Sequence, residues 1–173
     1  NLTTKELDKF GVKKHPNWKL DVDNYYYNRE VTDGELGCSL SHVDLWMDSY
    51  TTEKEVTMIL EDDFIEQLPV PWDQVESLLD KGYDLIYLGR NALKPEEENL
   101  IEGYTNWVEP SYSYNTHAYI LSKRGVELLV EHYIERYKNK MFVIDEFLSV
   151  AFKKTQRTDI LEEFSDLPTL KAA

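Results

Sequence analysis

A run of three acidic residues is the first feature of the sequence with an evident chemical use. Residues 61–63, Glu-Asp-Asp, come directly after the apolar stretch Val56–Leu60, a pattern typical of a buried parallel strand that presents acids at its carboxyl end. Alternate side chains of a strand share a face, so Glu61 and Asp63 would project together; a kink at the strand end would instead pair Asp62 with Asp63. Because Mg²⁺ and Mn²⁺ prefer carboxylate oxygens, the run could hold a divalent metal, although an acidic run by itself is more often a solvated turn.

A second group of candidates lies upstream of these acids, in a stretch of glycine and serine that ends at His42. Apolar residues recur at helical spacing from residue 40 to residue 50, which predicts a helix there with Ser39 as its N-cap. The free N–H groups of a helix start attract anions, so His42 would contact a phosphate or a sugar, or else be a buried histidine of the cap. Gly37 is expected to permit a tight turn. The candidate ligand contacts of this stretch are Gly37, Ser39, Ser41 and His42.

A second acidic site is formed by Asp145 and Glu146, which follow an apolar pair and precede a predicted helix at residues 147–152. Acids at a helix start commonly cap the helix or interact with its dipole. One of the two could therefore face a cleft from its rim while the other caps the helix, and capping by both is the alternative.

Strands and helices alternate along the chain. Strands are predicted at residues 56–60, 83–88 and 112–121, with a turn at residues 89–91, and helices at residues 40–50, 72–79 and 125–137. This alternation predicts one α/β domain with a mainly parallel sheet and flanking helices, with a ligand site beyond the carboxyl ends of the strands. We divide the chain 1–173 into an irregular part at residues 1–33, a motif-bearing core at 34–152 and a C-terminal extension at 153–173.

The composition excludes several classes of protein. The 173 residues include 19 Lys and Arg against 33 Asp and Glu, a formal net charge of −14, which disfavours nucleic acid and anionic membranes as partners. The single cysteine, Cys38, excludes an internal disulfide framework and a cysteine-rich zinc site, and it is expected to be a small buried apolar residue. The sequence contains neither a membrane-spanning apolar run nor the pattern of a signal peptide.

Five segments in order carry a resemblance to a known family. They are GELGCSLSH at residues 34–42, ILEDD at 59–63, DLIYLGR at 84–90, SYNTHAYILS at 113–122 and IDEFL at 144–148. Together they resemble glycosyltransferase family 25, which contains bacterial lipopolysaccharide galactosyltransferases and animal collagen galactosyltransferases. The likeness covers roughly residues 31–152 and looks closest to the collagen branch. The family normally begins with a strand and an arginine-rich turn, which nothing before Gly34 matches, so the first strand is expected to be missing.

The resemblance implies a fold and a reaction. It implies a type A nucleotide-sugar transferase fold, similar to the Rossmann fold, and inverting transfer of a hexose, galactose foremost, from a UDP-sugar to hydroxylysine of a collagen-like polypeptide. Mn²⁺ or Mg²⁺ would assist the UDP-sugar donor. One alternative keeps the reaction but uses a lipopolysaccharide or capsule glycan as acceptor; the other is a non-catalytic relative that binds collagen. The setting would be the endoplasmic reticulum lumen for an animal enzyme and the cytoplasm for a bacterial or viral one.

The resemblance also assigns roles to residues. Inversion in a single displacement requires a base on the acceptor side, for which Asp145 and Glu146 are the candidates. Arg90 would pair with the diphosphate or with nearby acids, while Asn115 and Thr116 would line the sugar pocket. The expected metal ligands are Glu61, Asp62 and Asp63, and the expected donor contacts are Gly37, Ser39, Ser41, His42, Arg90, Asn115 and Thr116.

Overall fold

A three-stranded sheet with helices on both faces forms the centre of the computed structural model, which describes residues 9–173. The strands are β1 (Val56–Leu60), β2 (Leu85–Ala92), β3 (Asn99–Leu100), β4 (Val108–Glu109) and β5 (Ser113–Ser122). The helices are α1 (Asp33–Thr51), α2 (Trp72–Asp80), α3 (Lys123–Leu128), α4 (Ile134–Asn139), α5 (Ile144–Ala151) and α6 (Thr158–Glu163). A π-helical segment, Leu129–Tyr133, joins α3 to α4, and β3 and β4 form a separate small hairpin.

The central sheet is antiparallel, so the expected mainly parallel, Rossmann-like sheet is wrong. Its order is β1-β5-β2, and β5 pairs antiparallel with both neighbours. The reason lies in the connection between β2 and β5, which contains a short 3₁₀ turn, Pro95–Glu97, and the small hairpin but no crossover helix. A parallel return requires such a crossover. Because β1 and β2 still run in the same direction, their carboxyl ends and the amino end of β5 lie at the same end of the sheet.

Two further expectations about the strands are corrected. Strand β1 is an edge strand rather than a buried one, and its alternating side chains Val56, Met58 and Leu60 are exposed. Strand β2 continues to Ala92 through a register shift at Gly89, where a turn was expected. Along β2 and β5 alternate residues face opposite sides of the sheet, and the helices cover both sides.

Helix α1 begins earlier than its apolar periodicity predicts. Thr32 is its N-cap: the Thr32 side chain accepts a hydrogen bond from the Glu35 backbone, and the Glu35 carboxylate accepts one from the Thr32 backbone. Ser39 therefore lies inside the helix and is not its cap. Gly37 is also helical, so the expected tight turn is wrong.

The larger core lies between the sheet and the helices α1, α3, α4 and α5. The predicted helix at residues 125–137 is confirmed, and its buried face includes Leu129, Tyr133 and Tyr137. The ring of Tyr137 stacks on that of Phe147 of α5, with centroids 3.8 Å apart. These contacts fix α5, and with it Asp145, against the sheet.

The last residues of the chain extend the sheet beside β2. The Ala173 N–H donates to the Leu85 carbonyl (2.9 Å), and the Tyr87 N–H donates to the Ala173 carbonyl (2.8 Å). A smaller core on this side packs α2 against the sheet through Val75, Leu78 and Ile86. Within the described residues, every helix is too short or too polar to cross a membrane.

Candidate active site

A cleft of about 410 Å³ opens at the end of the sheet where β1 stops and β5 begins. It contains four of the predicted site residues, Glu61, Asp63, Asn115 and Asp145. Two larger hollows, of about 650 and 520 Å³, lie elsewhere and contain none of them. The lining residues of the cleft are Glu35, Cys38, Glu61, Asp63, Asn115, His117, Val143, Ile144 and Asp145.

Two carboxylates of this cleft meet at one hydroxyl group. Thr116 Oγ1 lies 3.1 Å from Glu61 Oε1 and 3.1 Å from Asp145 Oδ1. Burial raises the pKa of Asp145, against hydrogen bonds from the Asn115 backbone and from Thr116. The residue Asn115 has a positive φ of 62°. This backbone conformation at the start of β5 accompanies an N–H that donates to the Asp145 carboxylate.

His42 lies behind Glu61 and is held by two aromatic residues. Its Nδ1 lies 2.7 Å from the Tyr119 hydroxyl, to which the Trp46 indole N–H also donates (3.0 Å). Nε2 faces Glu61 Oε1 at 3.7 Å. His42, followed by Thr116, holds the pKa of Glu61 below its ordinary value against the effect of burial. The structure therefore brings His42 to the acids, as predicted, but from the middle of α1 rather than from its N-terminus.

The two candidate bases face different surroundings. Asp145 lines the cleft, whereas the side chain of Glu146 is completely buried. The Glu146 carboxylate accepts hydrogen bonds from Tyr112 (2.6 Å), Tyr27 (3.0 Å) and Thr155. Burial raises the pKa of Glu146, against these hydrogen bonds. Because this carboxylate has no path to a substrate hydroxyl, the geometry supports Asp145 alone of the two candidate bases.

The acidic run does not converge on a single point. Glu61 and Asp63 both line the cleft, while Asp62 is exposed outside it; residues 62–63 form a turn after β1, so strand alternation is not the cause. Within residues 9–173, the group of His, Cys, Asp and Glu donor atoms found close enough together to hold a metal ion is Cys38, His42 and Glu61.

Several predicted donor contacts lie outside the cleft. Arg90 forms an ion pair with Glu98 (2.7 Å) and donates to Ser113 Oγ (2.8 Å), so its guanidinium already has two partners within the chain. Ser39 is buried and donates to the Phe142 carbonyl (3.0 Å). Ser41 donates to the Gly37 carbonyl within α1 (3.0 Å). For Arg90, Ser39, Ser41 and Gly37 the structure therefore shows contacts within the chain, away from the cleft.

Residues that the sequence reasoning missed extend the site. Cys38 was expected to be buried, but it is exposed and lines the cleft. Its thiol is still partly shielded from solvent, and this desolvation, followed by the nearby carboxylates, Glu61 foremost, raises the pKa of the thiol to about 11. Its spacing of four residues from His42 on a helix was the available signal. A narrow groove of about 70 Å³ adjoins Asp145 and is lined by residues far apart in sequence, which gave no local signal. Its lining includes Trp18, Tyr26, Arg29 and Tyr114.

Comparison with known proteins finds similar sequences in one family. Residues 3–69 match the family model described as glycosyltransferase family 25 (LPS biosynthesis protein). The chain is 33% identical over 171 residues to procollagen galactosyltransferase 1-B of Xenopus laevis, which covers 95% of this chain and 27% of the relative. It is 33% identical over 160 residues to human procollagen galactosyltransferase 2, covering 88% of this chain and 24% of the relative.

A third relative carries a different description. The chain is 38% identical over 134 residues to "Probable inactive glycosyltransferase 25 family member 3" of Bos taurus, covering 73% of this chain and 22% of the relative. The chain thus spans about a quarter of the length of these relatives. The predicted resemblance is confirmed, and we assign the chain to glycosyltransferase family 25.

Proposed function

We propose that the chain is the sugar-transferring part of a hexosyltransferase. It moves a hexose, galactose foremost, from a UDP-sugar to the hydroxyl group of hydroxylysine in a collagen-like polypeptide. The observation that carries the proposal is the pair Glu61 and Asp145, joined through Thr116 in an open cleft. The names of the relatives support galactose and collagen as donor sugar and acceptor.

Asp145 is the general base of this proposal. Burial raises its pKa, which makes its carboxylate a stronger proton acceptor than an exposed one. The acceptor oxygen attacks the anomeric carbon while its proton passes to Asp145, and the bond from the anomeric carbon to the UDP oxygen breaks. UDP leaves with the electron pair, and the anomeric centre inverts. Thr116 and the Asn115 N–H hold the receiving carboxylate in place.

The two cleft acids that follow β1 supply the kind of ligand that a divalent metal takes. Glu61 and Asp63 present carboxylates to the same cleft, and such oxygens suit Mn²⁺ or Mg²⁺, which commonly keep one or two protein carboxylates beside substrate phosphates. When bound, the metal would offset the charge of the diphosphate. The adjoining groove offers the aromatic rings of Tyr26 and Tyr114 beside Asp145, a surface suited to a polypeptide acceptor.

Calorimetry and transfer assays test these roles separately. Asp63→Ala should abolish Mn²⁺-dependent UDP binding with little change in melting temperature. Asp145→Asn should lower transfer to a hydroxylysine peptide by roughly 10²-fold or more while UDP affinity changes little. Asp44→Asn, an exposed change on α1, is the control for both. Near-normal transfer by Asp145→Asn would place the base elsewhere, and unchanged UDP affinity in Asp63→Ala would remove that residue from the metal site.

The same assays distinguish the proposed function from two others. The relative named probable inactive favours a binding role without transfer, and the family description favours a bacterial glycan acceptor. Hydrolysis of UDP-galactose that requires Mn²⁺ would exclude the binding role. A panel of hydroxylysine peptides and lipopolysaccharide sugars would then separate the two acceptors.

A further inference from the structure

Three different metal-binding side chains converge at the inner end of the cleft. Cys38 and His42 stand one helical turn apart on α1, and Glu61 follows β1. The Cys38 thiol, a ring nitrogen of His42 and a carboxylate oxygen of Glu61 all lie within 4.8 Å of one another. A zinc ion holds such ligands at about 2.0 to 2.3 Å, so side-chain shifts of about an ångström would bring all three to one ion.

The hydrogen-bond partner of His42 would also suit a metal ligand. Its Nδ1 is already engaged by the Tyr119 hydroxyl, and Tyr119 is completely buried. Without a metal, the Tyr119 hydroxyl donates to His42 Nδ1, because the Trp46 indole N–H already donates to the Tyr119 oxygen, and Nε2–H then faces Glu61 Oε1 at 3.7 Å. A metal at Nε2 would replace that proton and reverse the Nδ1 contact, so that Nδ1–H donates to the Tyr119 oxygen. A histidine that ligates a metal usually donates its other N–H to a fixed partner in this way.

The donor set selects the kind of metal. Thiolate and imidazole suit Zn²⁺, whereas Mn²⁺ and Mg²⁺ prefer oxygen ligands alone. Three protein ligands would leave the fourth tetrahedral position for a water molecule. The nearby carboxylates of Asp145 and Glu35 add negative charge that favours a dication. We propose that Cys38, His42 and Glu61 form a Zn²⁺ site, distinct from the Glu61 and Asp63 site suggested for Mn²⁺ or Mg²⁺.

Cobalt spectroscopy on the reduced 173-residue chain tests the site without nucleotide, so its outcome is independent of the proposed transfer reaction. Co²⁺ should produce a thiolate-to-cobalt charge-transfer band in the near ultraviolet and visible bands of tetrahedral intensity. Zn²⁺ should abolish both at one equivalent. Cys38→Ser, a change at an exposed position, should remove the charge-transfer band and weaken Zn²⁺ binding by roughly tenfold or more.

Matched variants decide where the metal sits. His117→Gln changes another histidine of the same cleft and should leave the spectrum and the Zn²⁺ affinity unaltered. Asp63→Asn should also leave them unaltered. A cobalt spectrum without the thiolate band, or one that Cys38→Ser leaves intact, would overturn the proposal. An equal loss of Zn²⁺ affinity in Asp63→Asn would overturn it as well, because the metal would then belong to the acidic run.

Discussion

Glu61, which follows β1, and Asp145, in the first turn of α5, share the hydroxyl of Thr116 at 3.1 Å each. A hydroxyl group has one proton, so it donates to only one carboxylate at a time. Thr116 therefore holds the two carboxylates at one point without donating to both at once. Burial raises the pKa of Asp145, whereas His42 and then Thr116 hold that of Glu61 below its ordinary value, so Asp145 is the stronger proton acceptor of the two.

Thr116→Val should lower the free energy of unfolding by about 1 to 3 kcal/mol, because two carboxylates lose a partner at a buried position. Thr116→Ser keeps the hydroxyl and loses one methyl group, so its cost should be nearer to about 1 kcal/mol. Urea unfolding at neutral pH measures both. Equal stability of Thr116→Val and the wild type would show that the hydroxyl contributes nothing to this contact.

Asp145→Asn should change the pH dependence of stability. The pKa of Asp145 is raised in the folded state, so its contribution is fully present below the unfolded value of about 3.9 and is lost as pH rises through the folded pKa. Asp145→Asn has no carboxyl group at this position, so its stability does not include this pH-dependent contribution. Its stability relative to the wild type should therefore grow with pH across that window and then level off.

Urea unfolding at a series of pH values measures this difference. The raised pKa of Glu146 acts in both proteins and cancels in the comparison. Asp44→Asn, at an exposed position, should show a constant difference from the wild type. A constant difference for Asp145→Asn too would contradict the raised pKa.

Arg90→Met should destabilise the fold without weakening UDP binding. Burial would raise the pKa of Glu98, but hydrogen bonds from Arg90 and Ser111 bring it below its ordinary value. Removing Arg90 leaves this mostly buried carboxylate without its charged partner, which should lower the free energy of unfolding by about 3 kcal/mol. The double variant with Glu98→Gln should lose less than the sum of the single losses. A selective loss of UDP affinity would instead return Arg90 to the donor site.

Two glycine substitutions should have opposite effects. A Cβ added at Gly125 would lie 2.4 Å from the Asp84 carbonyl oxygen, so Gly125→Ala should cost about 1 to 3 kcal/mol. At Gly34, in the first turn of α1, the nearest atom would lie 3.9 Å away, and alanine should stabilise the helix by up to about 1 kcal/mol. Chemical unfolding of both variants checks the pair; a stabilised Gly125→Ala would show that α3 can move away from Asp84.

The sequence determined the elements that depend on near neighbours. The apolar run Val56–Leu60 predicted the bounds of β1, and the acids directly after it were predicted to lie at the site. The periodic apolar face at residues 125–137 gave the long helix. The family motifs also identified Thr116 and Asp145 as candidates. The bounds of the strand and the helix follow from side-chain periodicity, which a single sequence contains in full, whereas Thr116 was identified only through the family resemblance.

Only the tertiary structure decided how distant segments meet. It placed β5 antiparallel between β1 and β2, it paired Arg90 with Glu98, and it separated the roles of Asp145 and Glu146. Adjacent acids at a helix start look alike in sequence. Glu146 is buried because Tyr27 and Tyr112, from remote parts of the chain, donate to it, whereas Asp145 faces the cleft. The burial and partners of a carboxylate depend on such long-range packing, which local spacing does not encode.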